Sequence, residues 1–246
     1  MRNVSPYEAS HMAKVAYTKS QWMKNRWDSY DDTTDTRVVV DYSPERNEVV
    51  LAFRGTFSLR NWVVNLSLWP THGVHRGVDK AVDVHFEVIK QYLDTLDHPS
   101  IIIVGHSLGG ALAVEFAHRL YQGGHRDLIV VTFGAVRAHT RKKAAELNAT
   151  VGLYVLRVTS NNDIVPRILG LLYRHVQGAW LYFDRKGYWH LGVSNKFAWW
   201  DAIAGRIRNP FFDGLHDHNL DGYSRSAAIF PYFVNEVLDG CIVDES

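Results

Sequence analysis

Apolar positions recur along this chain with two periods, one of two residues and one near 3.6, and together they predict strands alternating with helices. Residues 36–42 and 48–53 are dense in β-branched and aromatic side chains. Between them, Ser43-Pro44-Glu45-Arg46-Asn47 has turn chemistry, so the two segments read as an antiparallel pair. In residues 77–96, Val78, Val82, Phe86, Ile89, Leu93 and Leu96 step by four and three, which places them on one face of a long helix. Residues 101–104, 128–133 and 154–158 read as buried strands. Residues 8–23, 108–121 and 140–148 read as helices, the second closed by Gly123-Gly124. Further on, 174–176 and 180–183 look like a final hairpin. Residues 194–208 form an amphipathic helix with Phe197, Trp200, Ile203 and Ile207 on one stripe, readable as core or as the rim of a site. Residues 220–238 are helical in part, interrupted near Pro231. Strands separated by helices of this length predict an α/β fold. Its sheet is mostly parallel, starts antiparallel and is covered by helices on both faces.

A chain of 246 residues with 46% hydrophobic content can bury the core of one α/β domain, taken here as 1–246. Basic and acidic residues nearly balance, 27 against 26 for a net charge of +1, which gives no electrostatic case for a nucleic-acid partner. The acids Asp28, Asp31, Asp32 and Asp35 read as a solvated loop rather than a metal site. Cys241 is the only cysteine, so no intrachain disulfide is possible. Residues 1–20 contain no apolar leader and no run reaches transmembrane length. The expectation is a soluble, cytoplasmic protein, with export left open.

Gly105-His106-Ser107-Leu108-Gly109 has the form G-x-S-x-G between the strand 101–104 and the helix after it. That context makes a sharp turn that exposes a serine hydroxyl, and it marks Ser107 as a candidate nucleophile. A serine hydroxyl needs a base, and the base needs a group that orients it. Asp163, in the loop that follows strand 154–158, fits the orienting acid, with Asp184 and Asp201 as weaker alternatives. Among the later histidines, His175 reads as packed in a strand and His190 as a surface-loop residue. His216 and His218 flank Asp217 just before the last helical stretch, and local sequence does not separate them. No third ligand with zinc spacing accompanies them. The chemistry calls for no cofactor and no metal.

Leu59, Trp62, Val63 and Leu66 fall at i, i+3, i+4 and i+7. This is a short apolar stripe that needs something to pack against. It reads either as a lid over the serine's cleft, at about 58–66, or as a fixed surface helix; Trp69 could extend its apolar rim.

With these residues in view, the chain resembles the class 3, fungal-lipase-like family of α/β-hydrolases from about Tyr17 to Tyr223. The resemblance is carried by six segments in order. They are Phe53-Arg54-Gly55-Thr56 with Ser58-Leu59-Arg60-Asn61-Trp62, Val74-His75-Arg76-Gly77, Gly105 to Leu112, Thr132-Phe133-Gly134 with Arg137, Arg157-Val158 through Asn162-Asp163-Ile164-Val165-Pro166-Arg167, and Asp217-His218-Asn219 with Tyr223. It departs at Val136, where the family usually has proline, and at Ser160, where histidine or asparagine is frequent. The resemblance implies an α/β-hydrolase fold and selects His218 over His216 as the base. It also implies an oxyanion hole from the backbone N–H groups of Thr56 and Leu108. Finally, it implies a serine carboxylic ester hydrolase, foremost a triacylglycerol lipase acting on lipid esters, with a lipid–water interface as one setting for that action. Phospholipase A1, mono- or diacylglycerol lipase and feruloyl-type esterase are alternatives on the same triad. A lipid- or partner-binding module without turnover is the alternative from outside enzymology.

Overall fold

A computed structural model describes residues 3–18, 25–55, 69–150, 153–161, 163–176, 178–193, 195–208 and 218–238. Its centre is a sheet of eight strands among the described residues. These are β1 (Arg26–Asp31), β2 (Thr36–Ser43), β3 (Glu48–Phe53), β6 (Ser100–His106), β7 (Leu128–Phe133), β8 (Tyr154–Ser160), β9 (Ala179–Phe183) and β10 (Trp189–Leu191), side by side in that order. A small ribbon, β4 (Pro70–Thr71) with β5 (Val74–His75), lies apart from it. The pairings β3–β6, β6–β7, β7–β8 and β8–β9 are parallel, whereas both ends of the sheet are antiparallel. The predicted α/β architecture therefore holds.

Alternation along the central strands sorts their side chains into two cores. Val38, Leu51, Ile101, Ile103 and Val130 face one way. There they meet α2 (Arg76–Asp94) and α3 (Leu108–Gln122), whose buried Val78, Val82, Ile89 and Leu93 come from the predicted apolar stripe. Val39, Ile102, Val104, Ile129, Leu156 and Val158 face the other way. On that side they meet α1 (Pro6–Val15), α6 (Leu220–Ala227) and α7 (Val234–Leu238). Both faces are covered, so the central strands are apolar at nearly every position.

Four expectations need correction. The helix expected over 8–23 begins earlier and ends by 16–18 in the described part, running Pro6–Val15 from a Ser5–Glu8 capping box with Pro6 behind it; 19–23 lie outside the described residues. The acidic N-terminal stretch is partly an edge strand: Asp28 lies in β1 and binds the Arg37 guanidinium at 2.6 Å, while Asp31 accepts from Thr33 and Thr34 in the following turn. The final hairpin pairs β9 with β10, not 174–176 with 180–183; Arg174 makes only an isolated bridge to His139. In α5 (Asn195–Arg208) it is Ala198 that is buried, while Phe197 and Trp200 are 42% and 55% exposed, so these two positions of the stripe are not core; the Ile207 side chain lies outside what is described. The remaining helix, α4 (Arg141–Asn148), matches its prediction.

Candidate active site

Ser107 sits between β6 and α3 with φ 62° and ψ −127°, a left-handed conformation that costs a non-glycine residue energy. The turn is tight enough that a Cβ on Gly105 would run into the Gly109 backbone, and one on Gly109 into Phe53. The Ser107 N–H donates to the Phe133 carbonyl at 2.9 Å and ties the turn to the end of β7. Leu108 opens α3, where the first N–H groups have no acceptor within the helix.

Asp163 follows β8 at the same end of the sheet. Its buried carboxylate is held from three directions. Oδ1 accepts from the Val165 N–H at 2.8 Å, and Oδ2 accepts from the Tyr223 hydroxyl at 2.5 Å and from His218 Nδ1 at 2.8 Å. The Tyr223 oxygen in turn accepts from the Ser160 N–H at 3.2 Å. His218 immediately precedes Asn219, the N-cap of α6, so the start of that helix positions the imidazole. Donation from Nδ1 to the carboxylate leaves Nε2 with the lone pair that a general base needs. Nε2 is buried and has no hydrogen-bond partner among the described residues; Ser107 Oγ does not bond it in this geometry. Catalytic hydrogen bonds are often open before substrate binds.

Gly134 makes room for the acid–base pair. It has φ 55°, and a Cβ there would come within 2.6 Å of Asp163 Oδ2 and 3.0 Å of the His218 ring. The His106 ring stacks on His218 with centroids 4.5 Å apart and a 25° interplanar angle. The Tyr17 hydroxyl accepts from the Gly55 N–H at 3.0 Å and lies 2.9 Å from His106 Nδ1. Burial pushes the Tyr17 hydroxyl up to about 12. Burial, and after it the adjacent His218 ring, which disfavours a second positive charge, hold His106 well below the usual histidine range, hence neutral. Sequence reasoning missed Tyr17, His106 and Gly134 as parts of this site. His106 stood inside the pentapeptide, but nothing local to Tyr17 or Gly134 announces contacts so far along the chain.

Of the residues singled out from sequence, Ser107, Leu108, Asp163 and His218 come to one end of the sheet. Asp184 and Asp201 are engaged elsewhere, the first with His190 at 3.1 Å and the second with the Tyr182 hydroxyl at 2.8 Å. His190 lies in β10 rather than in a loop, and His175 Nε2 donates to the Pro166 carbonyl at 2.7 Å. Trp69 is 78% exposed. Thr56, the stripe Leu59, Trp62, Val63 and Leu66, His216 and Cys241 lie outside the described residues. No group of metal-ligating side chains occurs among the described residues. None of the described helices is long and apolar enough to cross a membrane.

An elbow serine beside a buried Asp–His pair on this sheet defines an α/β-hydrolase. The family model for class 3 lipases matches residues 50–173, and the chain belongs to that family. It is 31% identical over 149 residues to a lipase of Rhizomucor miehei, spanning 54% of this chain and 41% of that one. It is 30% identical over 164 residues to a secreted mono- and diacylglycerol lipase A of Penicillium cyclopium, spanning 61% and 53%. The chain thus spans about half the length of these relatives or less. The crystal structure of Rhizomucor miehei triacylglyceride lipase superposes with a TM-score of 0.67 at 22% identity, covering 86% of this chain and 90% of that one, which establishes the shared fold.

Proposed function

We propose that this protein is a serine carboxylic ester hydrolase acting on lipid esters, with triacylglycerol lipase as its best reading. The observation that carries this is the buried Asp163–His218 pair, with its free Nε2, at the same sheet end as the strained Ser107. Ser107 Oγ attacks the ester carbonyl while His218 Nε2 takes its proton. Asp163 keeps His218 in the required tautomer and stabilises the imidazolium. The negative oxygen of the tetrahedral intermediate is met by the N–H groups of Leu108 and Thr56; losing one such donor costs about 10²–10³ in rate. His218 then protonates the departing alcohol. Water, deprotonated by His218, releases the carboxylic acid from the acyl-serine. The stripe Leu59, Trp62, Val63 and Leu66 serves as a lid that trades its packing for acyl chains at a lipid–water interface.

The names of the relatives support lipid esters as the substrate class, and the Penicillium protein's name favours partial glycerides as the second reading. The single cysteine supports a cytoplasmic location. Hydrolysis of p-nitrophenyl esters of increasing acyl length and of emulsified triacylglycerol, with wild type beside Ser107→Ala, tests the proposal. Long-chain activity that rises when an interface forms and vanishes in the variant is expected. Activity confined to short soluble esters would remove the lid and lipase parts, and activity surviving in Ser107→Ala would remove the mechanism.

A further inference from the structure

Behind the acid loop, on the α3–α4 face of the sheet, lies a cavity of about 970 Å³. That is near the upper end for small-molecule sites. Its charge is lopsided. Arg137, Arg141, Arg157, Arg167 and Arg174 line it, and Asp163 is the only acid among the described lining residues. The Asp163 oxygens bond His218, Tyr223 and Val165, and none of the five arginines pairs with them.

None of these arginines makes an ion pair with an acid among the described residues, and Arg157 and Arg137 are the most enclosed. Arg157 points off β8 into the helical layer, where Val155 on the same side is core. Its guanidinium lies over the Trp180 ring at 4.2 Å, and its Nε is buried without a hydrogen-bond partner. Burial and the charge of Arg137 lower Arg157 to about 10, which still leaves it cationic at neutral pH. Arg137 extends from the loop after β7 across Gly170, where a Cβ would collide with its guanidinium. Arg137 is itself lowered by burial and by the charges of Arg174 and Arg167. Arg167 and Arg174 spend some of their N–H groups on backbone carbonyls of Asn161, Ala198 and Tyr173, which fixes their positions without neutralising them. Gathering partly buried cations around a single carboxylate is unfavourable unless something anionic joins them. Guanidinium forks match the oxygens of phosphate bidentately. A monocarboxylate would leave most of the charge uncompensated, whereas a phosphate monoester brings close to two negative charges.

We propose that this arginine-lined cavity binds a phosphate group. The group is either inorganic phosphate or the monoester headgroup of a lipid such as phosphatidate. The site is separate from Ser107, and the inference does not rest on ester hydrolysis. Trp180, Trp199 and Ile203 on its walls would take the apolar part of a lipid source.

Calorimetric titration of the full chain tests this with three probes: inorganic phosphate, an ether-linked dialkyl phosphatidate that no esterase can cleave, and laurate. The proteins are wild type, Arg157→Met, Arg137→Met and Arg141→Met. Removing either enclosed guanidinium, Arg157 or Arg137, should weaken phosphate binding by about tenfold or more. Removing the exposed Arg141 should weaken it less. Arg157→Met should also melt higher than wild type in phosphate-free buffer, because it removes an unpaired charge, so lost binding is not lost folding. Binding of inorganic phosphate identifies the free ion as sufficient, and binding of phosphatidate alone identifies the lipid headgroup. Laurate binding as tightly as either phosphate, phosphate binding unchanged in Arg157→Met and Arg137→Met, or no phosphate binding at all would each overturn the proposal.

Discussion

Asp163 and Arg157 belong to the same stretch of chain, one just beyond β8 and one within it, yet their charges are treated in opposite ways. The Asp163 carboxylate has a donor on every side. Arg157 has an indole face and a buried, unpartnered Nε. A charge with a fixed task inside the protein is satisfied in advance by residues of the fold, and that preorganisation avoids rearrangement during reaction. The Arg157 charge, left unpaired by the fold, is the one that the proposed phosphate would meet. The two sides of one loop thus separate a self-contained acid–base pair from a site that awaits a ligand.

Breaking the satisfied side should have the larger consequences. Asp163→Asn keeps the shape but leaves His218 in the wrong tautomer, and ester turnover should fall by about 10⁴; steady-state kinetics with a soluble ester reads this, and a loss below tenfold would contradict the role given to Asp163. Acid comes next. Burial depresses His75 (to about 4), His85, His106 and His175 in the folded protein. The unfolded chain therefore takes up protons first. Stability is complete above about pH 6.5 and is lost as pH falls toward the depressed values, each unit of depression being equivalent to about 1.4 kcal/mol. Melting temperature against pH should drop steadily from about 6.5 to about 4, and a flat profile would remove the buried neutral histidines from the account.

Gly134→Ala probes the space around the pair. It puts a side chain at φ 55° against Asp163 and His218. A displacement of about 1 Å should cost about 10² in turnover, and the backbone strain a further ~1–3 kcal/mol of stability. Tyr223→Phe removes one donor to the carboxylate and should cost about 1.5–3 kcal/mol by denaturant unfolding. Tyr17→Phe should cost less, about 1 kcal/mol, since it leaves the Gly55 N–H and His106 Nδ1 unbonded but touches neither Asp163 nor His218. If Tyr17→Phe proved the more damaging of the two, the outer layer at His106 would be carrying more of the site than the donors to Asp163.

The sequence made much of this legible because period and punctuation agree in the centre of the fold. Ile101 to Val104 leads into the elbow as expected, and Val78, Val82, Ile89 and Leu93 of the helix stripe are buried, with Phe86 partly so. Strands at the edges were harder. In β1 the charges of Asp28 and Asp31 hide a strand because their partners, Arg37 and the Thr33–Thr34 turn, supply locally what a solvated loop would take from water. In β10 a run of only three residues, Trp189 to Leu191, is too short to show a period. At the site, Ser107 and Asp163 stood beside local signals, whereas Tyr17 and Gly134 matter only through neighbours that folding brings to them. The arginine cavity was hidden by the same cause: its cations are scattered from 137 to 174, and a net charge of +1 averages them away.

Covalent trapping tests the central assignment most directly. The full chain is treated with a p-nitrophenyl alkylphosphonate, which transfers its phosphonyl group to an activated serine and releases p-nitrophenol. Peptide mass spectrometry then locates the adduct. The account predicts one adduct, on the peptide carrying Ser107, formed much more slowly in Asp163→Asn and absent from Ser107→Ala. An adduct on another residue, or none on folded wild-type protein, would contradict it.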